Sequence, residues 1–441
     1  MIFIRDKTAA FLGENKIIMK YKPSVFNYYF DFDDKRVGIF NTFSGAITGL
    51  TKQNFQKFKN FLEDKESLEP EIESKLSENC FIVPYVLDEY AAFNAKRIIN
   101  LLNTNASFYR IVTTMDCNAR CFYCYEGKSC HEYMDIKTAE QLTKFIIDHI
   151  ENRKCFIEWF GGEPLMNTEV IDYISRELRD KLGDGRVNFA MITNASLADA
   201  NIIEKMKNQW NLSDIQITLD GFSDEYNKRK NYISIQNPFE LVINNIDNML
   251  QADIKINIRL NYDKNNYLDL CKLIKYLGDK NFNSFKNLRI YAYPIFNVGQ
   301  AFAAETGGWD EWIAIQTALI ENKFAEPVEA FSLLTRKAQC YACSAKSFAV
   351  LPNGTLVKCT QAMKDKDAEV GDIWNGVINH DSMEQWCCTS LDKRCVRCCF
   401  LPICNGGCRA GIFGYTSDIC LAQKNFIDKV LIERIKYMRA K

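Results

Sequence analysis

Three cysteines stand close together in Asp116-Cys117-Asn118-Ala119-Arg120-Cys121-Phe122-Tyr123-Cys124-Tyr125-Glu126, spaced CxxxCxxC with an aromatic residue before the last. Three thiolates on one short loop can hold three irons of a [4Fe–4S] cube, whereas electron-transfer clusters use four cysteines. The remaining iron is open to a small chelator. S-adenosylmethionine offers an amine and a carboxylate placed to bind it, with the sulfonium held near the cluster. A structural zinc site would want a fourth ligand and, usually, CxxC pairs. A second group, Trp159-Phe160-Gly161-Gly162-Glu163-Pro164, puts two glycines beside a carboxylate. The glycines let backbone come close to a ligand, and the Glu163 carboxylate can accept charge-assisted hydrogen bonds.

The rest of the cysteine inventory points the same way. There are 18 cysteines, eleven of them between Cys340 and Cys420. No export-type apolar segment opens the chain, where Arg5, Asp6 and Lys7 interrupt the first residues, so a cytoplasmic location is expected. In that compartment clustered thiols read as metal or iron–sulfur ligands before disulfides. Only three histidines occur, His131, His149 and His380, with no HExxH, which leaves little material for histidine metal sites or Ser-His-Asp chemistry. GxxxxGK[ST] and GxGxxG are absent, so phosphate-cradle and dinucleotide readings lack support. With 55 Lys+Arg against 56 Asp+Glu, the net charge of -1 gives no field for nucleic acid or anionic lipid. No apolar run approaches the roughly 20 residues of a spanning helix.

Elements must position these groups. From Ser107 the sequence alternates short β-branched or apolar runs with stretches of helical period. Strands are predicted at Phe108–Thr114, Phe156–Phe160, Val187–Thr193, Ile215–Leu219, Ile254–Leu260 and Leu288–Tyr293. Helices are predicted near Ile136–Glu151, Glu169–Leu182, Ala198–Trp210, Phe239–Gln251 and Tyr267–Lys280. That alternation predicts an α/β fold with parallel strands and right-handed crossovers, a partial barrel of six units whose function sits at the carboxyl ends of the strands. Both motifs fall there. Polar residues at later strand ends, Asn194, Thr218, Arg259 and Asn261, are further candidates, with cap and turn roles as the alternative. Before the barrel, Tyr28–Phe32, Asp33-Asp34-Lys35 and Val37–Phe40 predict a hairpin. Thr51 can cap a helix over Gln53–Glu63, and Glu69–Asn79 and Phe81–Val86 predict a helix and a strand. This is a small α+β module. After the barrel a helix at Trp309–Asn322 leads into a loop-rich segment with too few apolar residues for a large core, where metal clusters would act as staples.

The cysteine loop and the Gly-Gly-Glu group together resemble the radical SAM superfamily, whose signature is CxxxCxφC after the first strand of a partial (β/α)6 barrel; the resemblance covers roughly Phe108 to Asn297. It implies that Cys117, Cys121 and Cys124 ligate a [4Fe–4S] cluster. It also implies that S-adenosylmethionine is cleaved reductively to a 5′-deoxyadenosyl radical, that an external one-electron reductant of flavodoxin or ferredoxin type feeds the cluster, and that Gly161, Gly162, Glu163, Asn194, Thr218 and Arg259 contact the cofactor. The later cysteines, Cys343, then Gly354 and Cys359, then Cys395-x2-Cys398-x5-Cys404-x3-Cys408 and Cys420, resemble the SPASM domain of radical SAM enzymes that modify peptides. The resemblance implies two auxiliary [4Fe–4S] clusters, three clusters in all. Cys343, Cys359 and Cys408 would hold auxiliary cluster I, and Cys395, Cys398, Cys404 and Cys420 auxiliary cluster II. Cys340, in CxxC spacing with Cys343, is the candidate fourth ligand of the first, with an open iron as the alternative. Cys387, Cys388 and Cys399 are unassigned, and Cys80, Cys130, Cys155 and Cys271 read as ordinary semi-buried residues.

The expected organisation is a leader-recognition-like, winged-helix-like α+β domain over 1–95, the barrel over 96–305, a helical bridge over 306–339 and the SPASM domain over 340–441. Peptide-maturing relatives often carry such an N-terminal domain, which binds a precursor's leader as an added strand. The expected function is maturation of a ribosomally made precursor peptide by a cross-link, foremost a cysteine thioether. The alternatives are a carbon–carbon peptide cyclase, an anaerobic sulfatase-maturating enzyme that makes formylglycine, and a non-catalytic zinc-binding interaction protein. No single general base stands out among Asp116, Glu126 and Asp220.

Overall fold

The structure, a computed structural model, describes residues 20–102, 105–126, 131–295, 308–326, 340–387, 390–414 and 427–439. The chain forms two compact units, the first from residues up to Ala95 together with Lys393–Ile403, the second from Lys96–Asp392 with Cys404–Lys441.

In the first unit, β1 (Tyr21–Pro23) precedes the antiparallel meander β2 (Asn27–Asp33), β3 (Arg36–Asn41) and β4 (Ile47–Thr51), which lie in that order in one sheet. The expected hairpin forms because Asp33 turns the chain: its Oδ1 accepts from the Lys35 amide at 3.0 Å. Helix α1 (Lys52–Leu62) is capped by the Thr51 hydroxyl, which accepts from the Asn54 amide at 3.1 Å. After α2 (Pro70–Glu78), β5 (Ile82–Pro84) pairs antiparallel with β1. The expected strand over Phe81–Val86 is cut short at Pro84, which has no amide to continue a ladder, and Val86 stands exposed. Ile39, Phe58, Phe81 and Ile82 make the core of this unit.

Helix α3 (Glu89–Leu102) leads to the six parallel strands β6 (Ala106–Thr114), β7 (Lys154–Gly161), β8 (Val187–Thr193), β9 (Leu212–Leu219), β10 (Ile256–Tyr262) and β11 (Leu288–Pro294). They hydrogen-bond in sequence order. Sequential order means that each crossover steps the same way, so the sheet winds as a barrel does rather than reversing as in a doubly wound fold. Among the described residues the ladder stays open at β11. The crossovers are α4 (Ile136–Ile150), α5 (Thr168–Leu182), α6 (Ala200–Glu204) with a π-helical turn at Lys205–Gln209, α7 (Asp224–Lys230) with α8 (Pro238–Gln251), and α9 (Tyr267–Asp279). Their apolar faces close the core; α5, for example, buries Val170, Ile171, Ile174 and Leu178. α10 (Trp309–Glu321) follows.

Two features depart from expectation. The segment after β9 contains α7 as well as α8, and α7 carries residues of the site. The cysteine-rich segment is not all loop: β12 (Phe348–Val350) pairs in parallel with β6 at Tyr109–Ile111, and β13 (Thr355–Val357), β14 (Glu369–Asp372) and β15 (Gly376–Val377) extend the same sheet to ten strands. Short apolar triplets such as Phe348–Val350 read as strands only beside a buried neighbour.

Candidate active site

The cysteine loop leaves the carboxyl end of β6 and is tied down from three sides. The Arg120 amide donates to the carbonyls of Lys230 (2.9 Å) and Asn231 (3.1 Å), and the Ile233 amide donates to Asn118 O at 2.8 Å, an antiparallel bridge joining Ala119 to Tyr232. From the end of β7, the Gly162 amide donates to Thr114 O (3.1 Å) and the Glu163 amide to Asp116 O (2.9 Å). From the end of β8, Asn194 Nδ2 donates to Asn118 Oδ1 at 2.8 Å and lies 3.9 Å from Cys117 Sγ.

This geometry shows what the two glycines do within the chain. Gly161 has φ +138°, and a Cβ there would sit 2.2 Å from Thr114 O; a Cβ on Gly162 would sit 2.2 Å from Asp116 O. Their smallness serves the approach of one strand end to the other's loop, so they shape the site through the backbone. Glu163 is fully buried. Its Oε1 accepts from the Leu165 amide (3.1 Å) and Thr193 Oγ1 (2.6 Å), and its Oε2 accepts from the Asn194 amide (2.7 Å). Burial raises its pKa against the pull of those donors. A carboxylate has about four lone-pair sites, so these bonds leave Oε2 acceptor capacity for one further donor.

The thiols are mutually close. Burial, the Glu163 carboxylate and the neighbouring Cys121 and Cys124 push the Cys117 thiol up to about 12. Burial raises Cys121 too, opposed by the Lys230 ammonium. Buried thiols that repel one another's negative charge ionise only when a cation joins them. Soft thiolates grouped in this way fit an iron–sulfur cube. Among the described residues no three His, Cys, Asp or Glu side chains converge on a point suited to one ion; a cube spreads its ligands over separate irons.

Beneath the loop lies a network that the sequence did not announce. Lys230 and Asp220, 2% and 0% exposed, pair at 3.1 Å. Lys230 Nζ also donates to Thr218 Oγ1 (2.6 Å) and Tyr123 OH (3.1 Å), Tyr123 OH donates to Asp220, and Asn261 Nδ2 donates to Asp220 Oδ1 at 2.9 Å. Burial works against the Lys230 charge, and Asp220 together with Tyr123, Cys121 and Tyr226 outweighs it, so its pKa stands well above the ordinary value. Thr218 is thus engaged by Lys230. Arg259 donates to Asn261 Oδ1 at 2.9 Å and stacks 3.8 Å over the Tyr293 ring. Lys230 closes the run Lys228-Arg229-Lys230, which reads as a solvated helix end; only the packing of α7 against the loop buries it.

The other carboxylates differ. Asp116 accepts from the Cys117 amide (2.9 Å), His131 Nδ1 (2.8 Å) and Tyr133 OH (3.1 Å). Burial pushes its pKa up, and these bonds overcome it, leaving it below the usual range. Burial lifts Glu126 to about 7, and its Oε2 has no hydrogen-bond partner.

Part of the cysteine field gathers on the sheet extension. Cys359 and Cys408 pack against one small core of Ala342, Ala362, Ala368, Trp386 and Ala410. Burial pushes Cys359 up to about 12, with the charges of Cys340 and Cys408 adding to it; burial, then Cys340, lifts Cys343 to about 11, Cys387 contributing as well. Cys340, Cys343, Cys359 and Cys408 are therefore electrostatic neighbours, with Cys387 beside Cys343. Arg110, projecting from β6, connects this region to the cysteine loop: it pairs with Glu158, lies 3.5 Å from Thr360 Oγ1 and 5.1 Å from the Tyr341 ring, and Tyr125 OH meets Thr360 Oγ1 at 3.2 Å. Tyr125 follows Cys124 and Thr360 follows Cys359, so one hydrogen bond links the two thiol sets. Cys395, Cys398 and Cys399 belong to the first unit and Cys404 to the second; Cys130, Cys388 and Cys420 lie outside the described residues. Cys155 is fully buried, and Cys80 and Cys271 are half-buried.

Residues 111–277 match the Radical SAM superfamily. An uncharacterized protein of Methanocaldococcus jannaschii is 34% identical over 94 residues, which span 21% of this chain and 32% of that protein, so the chain covers about a third of this relative's length. Among solved structures, native anSMEcpe with bound AdoMet and Cp18Cys peptide superposes with a TM-score of 0.57 at 18% identity, covering 76% of this chain and 97% of that one. Streptococcus suis SuiB bound to precursor peptide SuiA gives 0.53 at 14% identity, covering 89% and 97%. At such identities the likeness is one of fold. No helix among the described residues is long and apolar enough to cross a membrane.

Proposed function

We propose, for a radical SAM enzyme whose domain of that family spans residues 111–277, that the substrate is a ribosomally made precursor peptide and the product a cross-linked peptide, foremost a cysteine thioether. The observation that carries the reading is the interlocking of the cysteine loop with Glu163 and Asn194 at the carboxyl ends of β6, β7 and β8. Cys117, Cys121 and Cys124 would hold the [4Fe–4S] cluster. When bound, the cluster would supply the electron that cleaves S-adenosylmethionine to methionine and a 5′-deoxyadenosyl radical able to remove a hydrogen atom from a peptide.

The chain's own residues orient and enclose. Glu163, with its remaining lone pair, would accept from the methionine ammonium. Asn194 fixes the loop around Cys117, and Gly161 and Gly162 admit the close approach of strand ends. Lys230, Asp220 and Thr218 hold Tyr123 immediately before Cys124, and Arg259 lines the end of β10. Cys340, Cys343, Cys359 and Cys408 would hold auxiliary cluster I, an arrangement supported by their closeness, and Cys395, Cys398, Cys404 and Cys420 are proposed for auxiliary cluster II on the resemblance to the SPASM domain alone. A peptide substrate is supported by the two fold neighbours carrying peptides. The meander β2-β3-β4 offers edges on which a leader could add as a strand. A flavodoxin- or ferredoxin-type protein is proposed as the reductant.

Anaerobic reconstitution tests this reading. Three cubes give about twelve irons per chain, whereas zinc without iron would make the protein a zinc-binding module. Cys121→Ala should abolish 5′-deoxyadenosine formation. A precursor peptide encoded beside the gene should return lighter by two hydrogens with a blocked thiol; the same mass loss with the thiol count unchanged would mean a carbon–carbon link.

A further inference from the structure

Lys358 lies between β13 and Cys359 and is fully buried. Its Nζ donates to Ser344 O at 2.6 Å and to Ser347 O, both in the turn that follows Cys343, and sits 4.6 Å over the Phe348 ring. No carboxylate among the described residues pairs with it; Ser344 directly follows Cys343 and Lys358 directly precedes Cys359, so its ammonium is held beside the backbone that carries two thiols of the set. A buried ammonium with only carbonyls and a ring around it is costly, and such charges are found paired. Contrast Lys230, equally buried, which has Asp220. The anion that completes the Lys358 environment is therefore to be sought among those thiols, and a thiolate-ligated iron–sulfur cube is an anion.

We propose that Lys358 is the built-in counter-cation of auxiliary cluster I, raising the reduction potential of that cluster; this rests on the reading of Cys340, Cys343, Cys359 and Cys408 as its ligands. Each one-electron reduction adds a negative charge to a cube, so a fixed cation nearby favours the reduced form, and burial leaves that effect unscreened by water and salt. Net charge and surrounding hydrogen bonds are among the levers that set cluster potentials. Lys358 would act on the electron affinity of the cluster without touching substrate. Holding a higher potential suits an auxiliary cluster that takes an electron when a radical on the peptide closes to a bond: the substrate is oxidised by one electron and the cluster reduced by one.

The test is an EPR-monitored redox titration of reconstituted full-length protein, comparing wild type with Lys358→Met, which keeps length and loses charge, and Lys358→Arg, which keeps charge. The expected result is a lower auxiliary potential in the Met variant, about a tenfold fall in the reduction equilibrium constant or ~59 mV for one electron, with the Arg variant near wild type. If the Met variant instead loses one cluster's iron while the Arg variant retains it, the charge is needed to hold the cube, which also supports the proposal. Loss of that iron in both variants, or an unchanged potential with full iron in the Met variant, would overturn it. Wild type lacking any auxiliary signal would refute the ligand assignment instead, so the two failures are told apart.

Discussion

The two thiol-bearing regions of the second unit are built on different principles. Around Cys117–Cys124 the loop is held by backbone bonds to two other segments and a side-chain bond to a third, by a fully buried carboxylate and by a buried ion pair. Around Cys340–Cys343 and Cys359, short 3₁₀ turns and a core made chiefly of alanines surround the thiols, and the buried cation pairs with no carboxylate among the described residues. The first region is organised by contacts within the polypeptide. In the proposed reading the second is completed by auxiliary cluster I, since small, weakly apolar segments depend on metal staples.

The largest expected effect follows directly. Removing iron with a chelator should strip hydrogen-exchange protection from the Cys343, Ser344 and Ala362 amides, while the Arg120, Gly162 and Glu163 amides, which donate to main-chain carbonyls of other segments, keep theirs. Equal loss in both regions would break the contrast. Next, Lys230→Met leaves Asp220 buried and unpaired and should cost about 3–5 kcal/mol of stability, read by urea unfolding; a change below about 1 kcal/mol would mean that the pair is not structural. Gly162→Ala forces a Cβ onto Asp116 O and should cost about 1–3 kcal/mol, with lowered iron retention at the first cluster only. The smallest effect concerns Cys155, a thiol in the barrel core with no proposed ligand role. Burial pushes it up to about 12, so the folded chain keeps a proton that the unfolded chain releases near the ordinary thiol value of 9.0. Its contribution therefore falls as pH rises between those values, and at pH 8 it should resist alkylation by iodoacetamide until the protein is unfolded, when mass spectrometry detects the adduct.

Much of the architecture was legible because it is periodic. The strand over Val187–Thr193 agrees with the observed element residue for residue, and the helices α4, α5, α8 and α9 match within a residue or two, since alternating burial on strands and a helical stripe are written into local order. The cysteine spacings are written in the sequence, while the grouping of the later thiols into ligand sets rests on the resemblance to the SPASM domain. Less legible were α7, concealed in a charged run, and β12–β15, too short to show a period.

What the sequence determined by itself is the chemistry at hand: three cysteines in one loop, a Gly-Gly-Glu turn one strand later, a second cysteine field, and the rhythm that puts the first two at strand ends. What only the tertiary structure decided is which charges and contacts surround them. Arg110 pairs with Glu158 across neighbouring strands, Lys230 folds back onto Asp220 at the end of β9, and Lys358 is sealed against the carbonyls of Ser344 and Ser347. The physical reason is that burial and charge pairing are properties of segments distant in sequence. A lysine reads as solvated in every local window, and only the packing that removes its water makes it part of a site.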